Sequence, residues 1–129
     1  SPFPDAEPAL AALAPRPRLI LSNGTRAMLE PLAAATGLAR HLDSILSVDE
    51  AGVYKPSPRV YQLAVDALKR PAARIGFVSS NSWDAIGAKA FGFTTFWINR
   101  FGAPLDRHGP RPDRIIGTLS DLPALIGAM

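Results

Sequence analysis

Five short apolar runs alternate with helix-like segments along the chain, at residues 18–21, 44–48, 74–78, 94–98 and 114–116. They are brief, carry branched or aromatic side chains, and are bounded by Gly, Pro, Ser or Asn, so they read as strands. Between them the apolar positions recur at helical spacing. Asp5 to Ala14 carries Leu10 and Leu13 on one face and is stopped by Pro15 and Pro17. The spacing predicts a helix from Thr25 to Thr36, with Met28, Leu29 and Leu32 as its apolar stripe, Pro31 as a kink and Gly37 as its C-terminal cap. Ser57-Pro58 is a strong helix start, a hydroxyl cap followed by Pro at the first helical position. That helix runs to about Lys69 and is expected to bury Val60, Leu63, Ala64, Ala67 and Leu68. Asn81 or Ser82 caps a further helix through Phe91, ended by Gly92, and Ser120-Asp121 opens a last one. The segment from Arg100 to Asp113 carries Gly, Pro and charge and reads as a surface loop.

This alternation predicts an α/β fold, a Rossmann-like parallel sheet with helices on both faces. Right-handed crossovers put the carboxyl ends of all strands on one side, where chemistry collects in open α/β sheets. Three polar clusters fall there: Ser22-Asn23-Gly24, Lys55-Pro56, and Ser79-Ser80-Asn81-Ser82-Trp83-Asp84. Asp84 lies in the first turn of a helix, where the dipole and free N–H groups favour a carboxylate, and a plain capping acid fits equally well. Lys55 precedes a proline, which keeps it out of a helix; a solvated loop lysine is the alternative reading. Ser22-Asn23-Gly24 is also simply a good turn and cap. Trp83 and Tyr61 read as helix packing residues as readily as ligand contacts.

Composition narrows the class. A chain of 129 residues, 47% hydrophobic, suits one domain with a real core. The net charge of +3 is spread along the chain with no basic stripe, so a nucleic-acid partner is not expected. With no cysteine, disulfides, thiolate catalysis and cysteine-based zinc sites are excluded. No window approaches the roughly 20 apolar residues of a membrane span. The opening residues have no signal-peptide pattern, and a cytoplasmic protein is expected. Ser1 stands where an initiator Met would, so the start reads as a processing or cloning boundary. His41 and His108 have no acidic or histidine partner at ligand spacing and are expected on the surface.

The clusters, taken together and in order, resemble the haloacid dehalogenase superfamily, and within it the type II 2-haloacid dehalogenases. The pieces that carry the resemblance are Leu21-Ser22-Asn23-Gly24, Ser47-Val48-Asp49-Glu50, Tyr54-Lys55-Pro56 with Tyr61, Phe77 to Asp84, Gly87-Ala88-Lys89 and Phe96-Trp97-Ile98-Asn99-Arg100. The resemblance implies hydrolytic removal of halide from carbon 2 of a short (S)-2-haloacid through an aspartyl ester. It assigns Lys55, Ser79, Asn81 and Asp84 to catalysis. Asp84 would hold the lysine and help orient or activate the water that cleaves the ester, and Lys55 would balance the nucleophile and the substrate carboxylate. Ser22 would hold that carboxylate, with Tyr61 near it, and Asn23 and Trp83 would take the halide. Asp49-Glu50 is given no catalytic role.

In phosphatases of the same superfamily, the position of Ser80 carries an aspartate that binds Mg²⁺. A hard cation relies on carboxylates and water, so Ser80 argues for chemistry with no metal and no cofactor. The family's nucleophilic aspartate ends a first strand and is followed by a helical cap. Neither pattern occurs in this sequence, and Asp5 and Glu7, the acids that precede Ser22, follow no apolar strand. We therefore expect a partial core, inactive by itself, that associates through a homodimer or through a partner chain supplying a strand between those ending at Ser22 and Ser79. The alternatives are a phosphatase-like hydrolase of the same superfamily, or a non-catalytic remnant that binds a partner.

Overall fold

The computed structural model describes residues 4–14, 16–22, 26–48, 52, 54–55, 57–104 and 109–127. In chain order its elements are α1 (Ala6–Ala12), β1 (Leu19–Ser22), α2 (Arg26–Ala35), β2 (Ser44–Ser47), α3 (Pro58–Leu68), β3 (Gly76–Ser79), α4 (Ser82–Phe91), β4 (Thr94–Ile98), β5 (Arg114–Ile116) and α5 (Leu122–Gly127). Single 3₁₀ turns at Ala39–His41, Ala72–Arg74 and Leu119–Asp121 precede β2, β3 and α5.

All strand pairs are parallel, and the described residues form two sheets. In one, β1 pairs with β2 from Leu19↔Ser44 to Ser22↔Ser47. In the other, β4 lies between β3 and β5, with Ser79 opposite Trp97 and Ile98 opposite Ile116. The outer edges of β1 and β3 are thus not closed onto each other.

Alternation along the strands sends successive side chains to opposite faces. Phe77 points into a cluster with Tyr61 and Ala64 of α3 and with Ala88 of α4, together with Leu46, Ile75 and Phe93. Leu19 and Leu21 of β1 pack against the same cluster, which joins the two sheets through one core. Val78 and Phe96 face the other way, with Ile98, Ile116, Leu13 and the α5 residues Leu122, Leu125 and Ile126. Helices therefore cover both faces, as the alternation of elements implies.

The first core is aromatic. Phe77 and Phe93 stack at 5.4 Å, and Tyr61 meets each edge-on, at 5.5 and 5.9 Å.

Local signals set most boundaries. Ser57 accepts the Arg59 N–H (3.4 Å) with Pro58 at the first helical position of α3. Gly92 closes α4 at φ 126°, a conformation that strains residues with a Cβ.

Three expectations need correction. Met28 and Leu32 of α2 are exposed and Ala33 is the buried residue, because α2 lies on β2 through its small side chains. In α3, Ala67 is exposed and Tyr61 takes the interior place. The last helix is opened not by Ser120 but by Thr118, whose hydroxyl accepts the Ser120 N–H and starts the 3₁₀ turn before α5.

Candidate active site

Asp84 is the hub of the polar cluster. It sits in the first turn of α4, buried, behind the β3–α4 loop. One carboxylate oxygen, Oδ2, accepts from Lys55 Nζ at 2.9 Å, and Oδ1 accepts from the Tyr61 hydroxyl at 2.8 Å. Lys55 follows β2 and Asp84 follows β3, so this contact brings the carboxyl ends of both sheets together. The Lys55 side chain is 9% exposed and its ammonium also stands 5.2 Å from the centre of the Phe77 ring. Tyr61 is fully buried. Burial, reinforced by the Asp84 carboxylate, pushes its phenol far above the ordinary value, so it remains a donor to Asp84.

The β3–α4 loop is tied at each step. Ser79 Oγ accepts the Asn81 N–H at 3.1 Å, and Asn81 O accepts the N–H groups of Asp84 and Ala85, each at 3.1 Å. Asn81 occupies the cap position of α4 without a capping side-chain bond, so its amide is left at the exposed end of the loop. The Ser80 carbonyl accepts from the indole Nε1 of Trp97 at 3.1 Å. Trp83 projects from the first turn of α4, 43% exposed.

Of the residues singled out in the sequence, Lys55, Tyr61 and Asp84 are in direct contact, and Ser79 and Asn81 belong to the loop that carries Asp84. Ser22 ends β1 opposite buried Ser47, on the neighbouring sheet. Asn23, Asp49, Glu50 and His108 lie outside the described residues.

Trp97 was not singled out for chemistry. A buried indole must find an acceptor for its N–H, and that was the signal available in the sequence. His41 does have an acidic neighbour: its Nε2 lies 3.3 Å from Glu7 Oε1 and the ring is half-buried, a pairing that sequence distance conceals.

A second polar knot stands apart from this cluster. Asp5 receives both terminal nitrogens of Arg100, at 2.8 and 2.9 Å, the Thr118 hydroxyl at 2.6 Å and the Leu119 N–H at 2.9 Å. The bonds from Arg100 and Thr118 hold its carboxyl far below the usual range. Asp113 similarly accepts from Lys89 (2.8 Å) and the Thr95 N–H (2.7 Å). Among the described residues no group of three His, Asp or Glu side chains converges as a metal site would require.

A family profile for haloacid dehalogenase-like hydrolases matches residues 1–92. The chain is 44% identical over 128 residues to (S)-2-haloacid dehalogenase 1 of a Pseudomonas species (strain CBS-3), covering 98% of this chain and 56% of that protein. It superposes with a TM-score of 0.95 and 37% identity on the L-2-haloacid dehalogenase of Xanthobacter autotrophicus solved with chloropropionic acid covalently bound, covering 100% of this chain and 62% of that one. A HAD phosphatase from Thermococcus onnurineus shares the fold at a TM-score of 0.85 with 28% identity, covering 97% of this chain and 58% of that one. The chain spans about half the length of the curated relatives it matches.

Proposed function

The chain belongs to the haloacid dehalogenase-like hydrolases, and we propose that it forms the loop side of a site that displaces halide from carbon 2 of short (S)-2-haloacids. The observation that carries this reading is the Lys55–Asp84–Tyr61 contact beneath the Ser79-Ser80-Asn81 loop. Both Asp84 oxygens are engaged, which suits a carboxylate that orients a lysine and a water rather than one that attacks carbon. The reaction has two steps. An aspartate oxygen attacks carbon 2, the halide leaves with the C–X electron pair, and the carbon inverts. Water then adds to the ester carbonyl and releases the 2-hydroxyacid.

In this reading Lys55 balances the negative charges of nucleophile and substrate, and Asp84 with Ser79 and Asn81 serves the hydrolytic water. Ser22 holds the substrate carboxylate, Tyr61 orients Asp84 from the core side, and Asn23 and Trp83 receive the halide. The attacking aspartate belongs to a strand seated between β1 and β3 and supplied from outside these 129 residues. A cytoplasmic setting goes with this reading.

Mg²⁺ serves the phosphatases of this superfamily, but the described residues do not fit it. Ser80 offers no carboxylate, and the Asp84 oxygens are already taken by an ammonium and a phenol. No step is therefore assigned to a metal.

Chloride release from (S)-2-chloropropionate, by protein made from the complete reading frame, tests this. Release without added Mg²⁺ is expected, lowered about a hundredfold or more in Asp84→Asn and Lys55→Ala. Mg²⁺-dependent hydrolysis of p-nitrophenyl phosphate without chloride release would establish the phosphatase reading instead. The 129 residues alone are expected to release none, and turnover by them would put the attacking group within this sequence.

A further inference from the structure

We propose that Trp97 is a positioning residue for this site, acting through the Ser80 carbonyl. It rests on the reading of the site given above. Trp97 lies on β4, opposite Ser79 of β3, and is 3% exposed. Its side chain leaves the sheet on the same face as Phe77, the face covered by α3 and α4, since Phe77 is opposite Thr95 and Ser79 opposite Trp97. From there the indole Nε1–H donates to Ser80 O at 3.1 Å. This bond links the middle of the loop to the central strand of its sheet. The next residue, Asn81, is held by Ser79 Oγ and accepts the first N–H groups of α4 through its carbonyl. The indole thereby fixes the plane of the Ser80–Asn81 peptide and, through it, the start of the helix that carries Asp84.

A buried indole N–H whose acceptor moves away loses a bond it cannot replace with water. The loop and the strand therefore hold each other in one arrangement. Phe keeps an aromatic ring but lacks the donor and part of the indole volume, so the contrast between exchange in the loop and exchange in the sheet separates the hydrogen bond from the packing.

Hydrogen exchange on the ¹⁵N-labelled chain tests the proposal. The sequence contains two tryptophans, so Trp97→Phe also assigns the two indole signals. In the unaltered chain the Trp97 indole proton is expected to be strongly protected, and exchange at the rate of a free indole would overturn the proposal even if the variant failed to fold. In Trp97→Phe, amide exchange at residues 80–85 should rise about tenfold while β4 and β5 stay protected. Unchanged exchange in the loop, or an equal rise throughout the sheet, would leave Trp97 a packing residue.

Titration with (S)-2-chloropropionate, followed at the same amides, adds the functional arm. The variant should bind about tenfold more weakly, whereas equal affinity in both proteins would refute a positioning role. If the unaltered chain shows no shift with chloropropionate, the haloacid reading loses its support, and the exchange data still decide whether Trp97 holds the loop.

Discussion

Asp84 has its two carboxylate oxygens divided between an ammonium and a phenol, and the division explains why each neighbour is where it is. Lys55 supplies charge and Tyr61 supplies a neutral donor from the core side. Tyr61→Phe removes that donor while keeping the ring that meets Phe77 and Phe93. Urea denaturation at pH 7 should show a loss of about 1–2 kcal/mol, the cost of leaving one acceptor short of a partner. The raised phenol also predicts a pH effect. A phenol held protonated in the fold but free to ionise in the unfolded chain stabilises the fold fully below about pH 10, and this is lost as pH rises further. In a Tyr54→Phe background, phenolate absorbance should stay flat until unfolding, and a step in the folded protein would contradict it. Lys55 and Asp84 were legible because cluster position and residue type coincide. Tyr61 was legible as either a helix packing residue or a contact near the substrate, since helical spacing does not reveal that its hydroxyl would end on Asp84 inside the core. Trp97 was read as strand and as part of a segment carrying the family resemblance, but with no role of its own, because a pattern of apolar positions carries no information about where an indole N–H points.

Elements here are set by local chemistry at their ends and by packing along their lengths, and the two kinds of information were unequally visible. Ser57-Pro58 and Gly92 marked α3 and α4 from sequence, and β4 and β5 fall on their expected residues. The buried face of α2 was misread because large apolar side chains were taken to point inward, whereas close approach to β2 selects Ala33. The least legible feature was α1. Asp5, read from sequence only as the start of this helix, directly precedes it and makes no side-chain cap bond. Instead it crosses to Arg100, Thr118 and Leu119 and ties α1 to the ends of β4 and β5, across 95 to 114 residues of chain. Its carboxyl is lowered by those donors, so the stability it contributes is complete above about pH 4 and declines as pH falls. Asp5→Asn keeps the shape but not the charge and should cost about 2 kcal/mol at pH 7. The variant should also lose part of the acid dependence seen in the parent. Thermal melts of both proteins between pH 7 and pH 3 check this, and parallel curves would rule out Asp5 as the source.

At the scale of the whole molecule, the parallel α/β core expected from the sequence is present, and the expected gap between the strands ending at Ser22 and Ser79 divides it into two sheets that share a core but not a ladder. Burial follows which strands have neighbours on both sides. β4, flanked by β3 and β5, is buried at four of its five residues. β1, paired only with β2, is half-exposed throughout, and β3 is half-exposed at its carboxyl end. Among the described residues no ladder joins β1 to β3, and both strands have uncharged sequences, Leu19-Ile20-Leu21-Ser22 and Gly76-Phe77-Val78-Ser79, with no Lys or Pro to discourage pairing. Natural edge strands are normally protected by such residues, so these two edges have the character of interior positions awaiting a strand. The fold is therefore expected to associate through them. Sedimentation equilibrium over a hundredfold range of protein concentration should show a mass that rises above 13.7 kDa, and a constant monomer mass would count against association. The amides of β1 and β3 that do not bond to β2 or β4 give an independent check. They should exchange readily at low concentration and become protected as the mass increases. Protection at all concentrations would instead mean that the two edges close onto each other in solution. That outcome would also remove the seat for the attacking aspartate, so the quaternary measurement bears directly on the chemistry proposed for the site.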